Sequence, residues 1–338
     1  MKAIGLYNYL PIHDPESLVD LEREKPTPTG HDVLVNVKAI SVNPVDVKVR
    51  APKAQTEHPA RILGWDAAGI VEAVGPECTL FKPGDQVYYA GDITRSGSNS
   101  EYQLVDERIV GRKPARLDFA EAAALPLTTL TAWEGLFDRL GISQQQEHNQ
   151  DKSIVIIGAA GGVGSIATQL AKWAGMTVIG TASRPESIQW VKDHGADHVI
   201  SHRQPFAPQL KDLGFETVDS IFCLNSTAKH WNDMVKVIVP QGKICSIVEL
   251  EGRVDLSTLQ SKSVTFAWEF MFTRSMFQTA DMIEQHHLLN AVADLVDTGK
   301  IQTTLTMRLS PITAAHLRKA HALVEQGSMI GKVTLEQF

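Results

Sequence analysis

Between residues 153 and 246, short apolar runs of strand length alternate with segments of helical pattern. The apolar runs are SIVIIG, TVIGTA, HVIS, VDSIFCLN and GKICSIV, and apolar residues recur at helical spacing between them, as in SIATQLAKWAG. This alternation predicts a parallel sheet with helices on both faces. Right-handed crossovers then place the carboxyl ends of all the strands at one edge, where such sheets bind ligands.

A glycine-rich loop, GAAGGVGS at residues 158–165, follows the first strand and opens the first helix. Glycine is needed where the backbone turns tightly or approaches a ligand, and a helix start offers free N–H groups to a pyrophosphate. The loop therefore predicts a dinucleotide site, although alanine stands at position 159, where the usual pattern has its first glycine. The predicted binding residues are Ala160, Gly161, Gly162, Val163 and Gly164. The alternative is a glycine-rich turn that binds no ligand.

The residues that follow the second strand favour NADPH over NADH. An acid about 20 residues beyond the glycines would bind the ribose of NAD, but the sequence there reads GTASRPES. Ser183 and Arg184 instead offer a hydroxyl and a guanidinium, which suit a 2′-phosphate. The alternative for Arg184 is an exposed side chain without a ligand. We expect Asn225 and Val248 at the same ligand edge, and His202 either at the adenosine phosphate or on the surface.

The regions before residue 153 and after residue 246 show other patterns of apolar and polar residues. From residue 1 to about 125, alternating stretches such as VLVNVKAISV (residues 33–42) and turn signals such as KPGDQ predict a β-rich domain. From about residue 263, an aromatic run, FAWEFMF, precedes a helix that we predict over residues 278–298. A strand, a helix and a closing strand, GKVTLEQF, follow.

The net charge, the cysteines and the apolar runs of the sequence indicate which partners and which cellular compartment to expect for the protein. The formal net charge is −7 and no basic block stands out, so neither a nucleic acid nor a membrane surface is expected as partner. The three cysteines are far apart, which favours a reducing cytoplasm over a disulfide framework. The first residues lack the apolar run of a signal peptide, and no apolar run reaches the length of about 18 residues that a membrane span needs. We expect a cytoplasmic protein with a small-molecule partner.

Several of these motifs resemble the medium-chain dehydrogenase/reductase superfamily. AAGGVGS followed by GTASR is similar to its quinone-oxidoreductase branch, and GWDAAGIVEAVG stands where the superfamily has its G-H-E-x-x-G-x-V signature. ISVNPVDVKVR and WEFMFTRSMFQTADMIEQHHLL resemble the bacterial group called zinc-type alcohol dehydrogenase-like proteins. The resemblance covers nearly the whole chain.

That resemblance implies an α/β fold in which a doubly wound Rossmann domain, residues 126–265, is inserted in a GroES-like catalytic domain. The catalytic domain would comprise residues 1–125 and 266–338. The resemblance also implies a homodimer formed through the edges of the Rossmann sheets. Finally, it places Lys332 at a position where members of the superfamily contact the pyrophosphate.

The same resemblance raises the question of zinc. Matched segment to segment, the catalytic zinc ligands of alcohol dehydrogenases fall on Asn43, on Trp65 and near Leu127. None of these residue types binds zinc well, so we expect no metal. In this interpretation Trp65 walls the active site and Asp66 orients its neighbours. The alternative is that both residues only pack in the interior.

Without a Lewis acid, reducing an activated acceptor is easier than oxidising a simple alcohol. A quinone or an α,β-unsaturated ketone accepts hydride from NADPH at carbon, and the negative charge moves to an oxygen. The quinone-oxidoreductase branch implies that Asn43 and Asp46 line the active site, and Lys48 stands where that branch often has tyrosine. Lys48 is then either a catalytic cation near that oxygen or a solvated surface residue.

The sequence therefore predicts a zinc-independent, NADPH-dependent reductase of quinones or enones. Two alternatives stay open. One is a zinc alcohol dehydrogenase with unrecognised ligands, and the other is a non-catalytic protein that binds NADPH.

Overall fold

The computed structural model describes all residues from Met1 to Phe338. The strands are β1 (Lys2–Tyr9), β2 (Val19–Glu22), β3 (Asp32–Ser41), β4 (Lys53–Ile62), β5 (Ala67–Val74), β6 (Gln86–Tyr89), β7 (Tyr102–Asp106), β8 (Val110–Arg112), β9 (Ser153–Ile157), β10 (Thr177–Thr181), β11 (His198–Ile200), β12 (Val218–Cys223), β13 (Ile238–Ser246), β14 (Thr265–Trp268), β15 (Leu305–Leu309) and β16 (Lys332–Glu336). The α-helices are α1 (Pro44–Arg50), α2 (Phe119–Ala123), α3 (Pro126–Trp133), α4 (Gly162–Trp173), α5 (Pro185–Asp193), α6 (Phe206–Asp212), α7 (Thr227–Val237), α8 (Thr273–Met276), α9 (Glu284–Asp297) and α10 (Ala314–Glu325). A π-helix over Glu134–Arg139 follows α3 directly. None of the helices combines the length and the apolar character that crossing a bilayer requires.

The chain divides into two compact units. Unit 1 comprises Met1–Leu127 and Phe272–Phe338, and unit 2 comprises Thr128–Met271. The sequence placed the corresponding boundaries at 125/126 and 265/266. The second of these falls within β14, which pairs in parallel with β13, and unit 2 continues to Met271. Residues 266–271 therefore lie in unit 2.

Unit 2 is built on a six-stranded sheet in which every pair of neighbours is parallel. The strand order is β11-β10-β9-β12-β13-β14. All five residues of β9 are buried, as expected for a strand covered by helices on both faces. The order runs outward in both directions from β9 and β12, which confirms the doubly wound sheet predicted from the alternating pattern.

Unit 1 contains a seven-stranded sheet and a three-stranded sheet. The larger has the order β15-β16-β3-β5-β6-β8, with β7 also paired to β3, and the smaller has the order β2-β1-β4. Antiparallel pairing sets Thr334 of β16 opposite Ser41 of β3, and Ala67 of β5 opposite Ile40. The end of β3 and the starts of β5 and β16 therefore come together, which determines where the site described below lies.

Two helices differ from what the sequence pattern predicts. The strand-like stretch at residues 33–42 is followed at once by helix α1, where Pro44 occupies the first turn and the Asp46 carboxylate accepts a hydrogen bond from the Asn43 N–H at 2.8 Å. Proline and an acid in the first turn are features of a helix start. The helix predicted over 278–298 is shorter and begins at Glu284, after Gln278 takes a left-handed φ of 49°.

Candidate functional site

Four polar side chains are buried together in unit 1. They are Asn43, Asp46, Asp66 and Lys332, and their exposed fractions are 1%, 1%, 0% and 4%. Asn43 follows β3, Asp66 precedes β5, and Lys332 begins β16, so strand pairing brings them together. We call these four residues the Asp66 cluster.

Asp66 is the acceptor at the centre of this cluster. Its Oδ1 accepts a hydrogen bond from the backbone N–H of Leu127 at 2.8 Å, in the first turn of α3. Its Oδ2 accepts from Asn43 Nδ2 at 2.7 Å and from Lys332 Nζ at 2.9 Å. A carboxylate is stabilised at a helix start because the first N–H groups of the helix have no partner within it.

Lys332 closes the network. Its Nζ donates to Asp66 Oδ2, to the carbonyl of Val42 at 3.3 Å and to Asn43 Oδ1. An ammonium group has three N–H donors, and all three have an acceptor here. The donors of Lys332 are thus engaged by groups of unit 1, and the pyrophosphate contact expected for Lys332 stays a prediction.

Burial controls the charges of the two acids. It raises the pKa of Asp46 to about 7, although the N–H of Asn43 and the ammonium of Lys332 act in the opposite direction. Burial also raises the pKa of Asp66, against the opposing influence of Lys332, Asn43 and the Leu127 N–H. We treat Asp66 as the ionised partner of Lys332, because all three of its hydrogen-bond donors favour the carboxylate form.

Trp65 lies beside this cluster in sequence but contacts other groups. Its side chain is fully buried, its Nε1 donates to the carbonyl of Asp92 at 3.4 Å, and its ring meets Phe272 edge-on with 6.1 Å between centroids. These contacts are those of a packed aromatic residue. The expected role of Trp65 as a wall of the active site stays a prediction.

Lys48 does not join the cluster. It is exposed on α1, two positions beyond the buried Asp46 and therefore on a different face of the helix. The structure supports the solvated alternative for Lys48. The residue that sequence reasoning missed on this helix is Arg50, which is fully buried and donates to the carbonyl of Leu10 at 2.7 Å and to Glu325 of α10. Arg50 thereby anchors α1.

In unit 2, the predicted nucleotide loop connects β9 to α4. Gly158 takes a positive φ of 87°, so the tight turn lies one residue before the alanine at 159. A Cβ on Gly164 would lie only 2.3 Å from the Gly158 carbonyl oxygen, so glycine is required for α4 to pack against the loop. A Cβ on Gly161 would meet that oxygen at an ordinary 3.5 Å. Residues 160–163 are partly exposed, which leaves their face open to a ligand.

The residues predicted to select NADPH follow two neighbouring strands. Ser183 and Arg184 follow the end of β10 after one intervening residue, and His202 likewise follows the end of β11, which pairs with β10. All three are partly exposed. The guanidinium of Arg184 lies 3.4 Å from the Glu186 carboxylate. Burial, together with neighbouring cations, lowers the pKa of His202, so this imidazole is neutral at pH 7.

Asn225 and Val248 lie at the same edge of the sheet. Asn225 follows β12, and its Cβ would be 3.5 Å from a Cβ built on Gly158, so it lies against the nucleotide loop. The carbonyl of Val248, beyond β13, accepts a hydrogen bond from Thr227 Oγ1 at 3.4 Å. The loop and Asn225 thus occupy the point where the strand order reverses, the usual position of a dinucleotide in such sheets. These residues fit a dinucleotide.

The residues of the Asp66 cluster do not fit zinc. Donor N–H groups already engage both oxygens of Asp66, and a carboxylate oxygen of Asp46 accepts a hydrogen bond from the Asn43 N–H. Zinc prefers thiolate, imidazole and carboxylate ligands, whereas the other groups here are an amide, carbonyls and an ammonium that would repel the ion. No group of three or more histidine, cysteine, aspartate or glutamate side chains in the structure is arranged to hold a metal ion.

Comparison with known proteins agrees with this architecture. Residues 29–126 match the family model of the alcohol dehydrogenase GroES-like domain, and residues 194–335 match that of zinc-binding dehydrogenases. A zinc-type alcohol dehydrogenase-like protein of Staphylococcus aureus is 45% identical over 335 residues, which cover 99% of each chain. A solved structure from Rhizobium etli, assigned as a zinc-dependent alcohol dehydrogenase, has a TM-score of 0.95 and 53% identity. It covers 100% of this chain and 98% of that chain.

Two other relatives carry the names of a reductase and of a quinone oxidoreductase. The 2-methylene-furan-3-one reductase of Solanum lycopersicum is 32% identical over 314 residues, 90% of this chain and 71% of that protein. A quinone oxidoreductase of Lama guanicoe is 30% identical over 260 residues, 75% of this chain and 76% of that protein.

One chain thus contains a Rossmann-type nucleotide-binding unit and a GroES-like unit, and its family matches are those of oxidoreductases. The chain belongs to the medium-chain dehydrogenase/reductase superfamily, among the proteins named zinc-type alcohol dehydrogenase-like. The resemblance drawn from the sequence motifs is confirmed.

Proposed function

We propose that this protein is a zinc-independent, NADPH-dependent reductase that transfers hydride to a quinone or an α,β-unsaturated carbonyl compound. The observation that carries the proposal is the closed Asp66 cluster. Asn43 and the region of Leu127 match zinc-ligand positions of alcohol dehydrogenases, and here both donate hydrogen bonds to a carboxylate that is already paired with Lys332.

A site with these residues favours substrates that are already electron-poor and can accept hydride without a Lewis acid. Oxidising a simple alcohol needs a group that lowers the pKa of the hydroxyl and holds the alkoxide, which is the work of a Lewis acid. A quinone or an enone needs no such group to accept hydride at carbon. The names of the Solanum and Lama relatives support this substrate class.

The Asp66 cluster then acts as a positioning device. Asp66 holds the start of α3 through Leu127 and the start of α1 through Asn43, and Lys332 neutralises the buried carboxylate. Asn43 and Asp46, which we expected to line the active site, are 1% exposed, and the amide of Asn43 is engaged on both sides. We propose that they fix the backbone of α1.

For the cofactor, we propose that residues 160–164 receive the pyrophosphate and that Ser183 and Arg184 hold the 2′-phosphate. The position of these residues at the carboxyl ends of β9 and β10 supports the assignment. His202, Asn225 and Val248 complete the proposed binding edge. NADPH supplies the hydride when bound.

The test is a substrate panel followed by the loss of NADPH absorbance. Quinones, alkyl enones and exocyclic enones are offered with NADPH and, in parallel, with NADH, and simple alcohols are offered with NADP⁺. We expect turnover of at least one quinone or enone with NADPH, unchanged by a chelator, and none of the alcohols. Tight NADPH binding without turnover of any acceptor would contradict the proposal and favour a non-catalytic NADPH-binding protein.

A zinc alcohol dehydrogenase is the second candidate, because the names of the Staphylococcus and Rhizobium relatives favour it. It requires ligands other than those matched above. Alcohol oxidation that disappears on chelation and returns with zinc would establish it.

We also propose that the protein forms a homodimer through β14. This strand is the outer strand of the unit 2 sheet, so one side of it has no paired strand, and Trp268 at its end is 48% exposed. An unpaired edge beside an exposed aromatic residue favours association. Light scattering should give twice the chain mass, and Trp268→Lys should shift it toward the monomer. A monomer at all concentrations would refute the proposal.

A further inference from the structure

Unit 1 buries two lysine side chains that are held in different ways. Lys113 is 6% exposed, and its Nζ donates to the backbone carbonyls of Pro114 and Leu117. Lys332 is 4% exposed, and its Nζ donates to a fully buried carboxylate as well as to an amide and a carbonyl oxygen. Lys332 therefore balances a charge, whereas the hydrogen bonds of Lys113 go to neutral groups.

The orientation of Asn43 depends on the charge at this position. Its Oδ1 faces the ammonium of Lys332, and its Nδ2 faces the carboxylate of Asp66. The opposite orientation would set the amide N–H groups against the ammonium and the amide oxygen against the carboxylate, and both hydrogen bonds would be lost. Three acceptors thus surround Lys332 Nζ. They are the Asp66 carboxylate, the Asn43 amide oxygen and the Val42 carbonyl.

These acceptors match an ammonium better than a metal ion. Two of the contacts with Nζ measure 2.9 and 3.3 Å, the length of hydrogen bonds from nitrogen. Zinc would need oxygen ligands at about 2.0–2.2 Å. Asp66 Oδ2 already accepts from both Asn43 Nδ2 and Lys332 Nζ, so a metal could not draw on both carboxylate oxygens without breaking the network.

We propose that the position of Lys332 Nζ is a cation site whose natural occupant is tethered to the chain. If so, a protein whose lysine is truncated should bind a small alkylammonium ion in its place. The inference deepens the proposed zinc-independence, because it assigns the positive charge of the site to Lys332.

The truncation that tests it is Lys332→Ala. The atoms removed are those of propylammonium, so this ion restores both the shape and the charge of the missing side chain. 1-Propanol supplies similar shape without charge, and tetramethylammonium supplies charge without the N–H donors. We would measure the melting temperature of purified Lys332→Ala against the concentration of each compound at constant ionic strength.

We expect propylammonium to raise the melting temperature of Lys332→Ala along a saturating curve. Neither control compound should do so. The wild type and Lys332→Met, in which a side chain fills the space, should not respond to propylammonium. Lys113→Ala should respond less than Lys332→Ala, because the Lys113 ammonium donates its hydrogen bonds to backbone carbonyls and not to a carboxylate. A response to propanol equal to that to propylammonium, or no response to either, would overturn the proposal.

If Lys332→Ala fails to fold, a double-mutant cycle decides the question. Lys332→Met leaves a buried carboxylate without its counter-charge, so adding Asp66→Asn should raise the melting temperature above that of Lys332→Met alone. A double variant that is no more stable than Lys332→Met would overturn the proposal.

These experiments need neither cofactor nor acceptor, so they are separable from the proposed reductase activity. An absence of turnover in the substrate panel would leave the cation site standing. Conversely, a failed amine response would leave the proposed substrate class untouched.

Discussion

Two buried groups of charged side chains, one in each unit, reach electrical neutrality by different means. In the Asp66 cluster of unit 1, an ammonium offsets the carboxylate. In unit 2, the carboxyl groups of Glu134 and Glu269 are fully or almost fully buried, and Arg139 Nε donates to Glu269 at 2.8 Å. Burial, followed by the charge of Glu134, raises the pKa of Glu269 to about 9 although the guanidinium of Arg139 acts in the opposite direction, so this group keeps a proton.

The way in which each group reaches neutrality determines how substitutions in the Asp66 cluster and at Glu269 affect stability. A buried charge is tolerated only with a partner, and the partner is either another charge or a proton. Removing an amino acid that supplies the counter-charge leaves an ion behind. Replacing a protonated acid by an amide of the same shape leaves none. The two groups should therefore differ strongly in their tolerance of substitution.

The largest effect is expected for Asp66→Ala. This change leaves the ammonium of Lys332 buried without its partner, and breaking such a pair costs about 3–5 kcal/mol. Chemical denaturation at pH 7 measures the loss in the free energy of unfolding. Glu269→Gln is the matched variant in unit 2 and should cost far less. A loss of roughly 1 kcal/mol or less for Asp66→Ala, typical of exposed pairs, would contradict the account.

Arg184→Ala should selectively weaken NADPH binding. The lost charge-assisted hydrogen bond is worth about 1.5–3 kcal/mol, while NADH, which has no 2′-phosphate, should bind as before. Calorimetry with both cofactors measures the difference. Lys192→Ala removes an exposed cation from the far end of α5 and should change neither affinity. Equal losses for NADPH and NADH would rule out the assignment.

Substitutions at two glycines of the nucleotide loop should affect different properties, one the stability of the fold and the other the binding of NADPH. Gly164→Ala places a Cβ 2.3 Å from a backbone oxygen, so we expect a loss of stability of about 1–3 kcal/mol. Gly161→Ala has its nearest contact at 3.5 Å and should fold normally but bind NADPH poorly, because the methyl group points to the open face. If Gly161→Ala bound NADPH like the wild type, the proposed pyrophosphate position would be wrong.

The effect expected at Glu269 appears only when the pH is changed. Its pKa rises from 4.5 to about 9 on folding, so its contribution to stability is complete below pH 4.5 and disappears as the pH rises through 9. Glu269→Gln removes this dependence. The free energy of unfolding of the wild type should fall relative to the variant by at most about 1.4 kcal/mol per pH unit. Parallel pH profiles of the two proteins would show that Glu269 holds no such proton.

The nucleotide-binding unit was the more predictable of the two, because its signals are local in sequence. A buried strand, a glycine loop and a helix follow one another within residues 153–173. The position of Gly158 shows the limit of the pattern, because the turn uses this glycine, one residue before the position where the usual pattern has its first. The boundary that the sequence suggests, 265/266, divides the edge strand β14, because its residues TFAW contain no turn signal that would mark the end of the unit.

The Asp66 cluster was less predictable. Asn43, Asp46 and Asp66 stood out in the sequence, but their partner Lys332 lies 266 positions beyond Asp66 and reaches it only because β16 pairs with β3. A signal for α1 was present and overlooked: the run Asn43, Pro44 and Asp46 has the composition of a helix start. It would have placed Lys48 on the exposed face.

The most direct test of the account is the metal content of the protein together with its activity. Protein produced with added zinc is purified without chelator, its zinc is determined by elemental analysis, and NADPH-dependent reduction of the best acceptor is measured before and after chelation. We predict far less than one zinc per chain and the same rate in both measurements. One zinc per chain, lost together with activity on chelation and absent from Asp66→Asn, would contradict the central claim that Lys332 supplies the cation of this site.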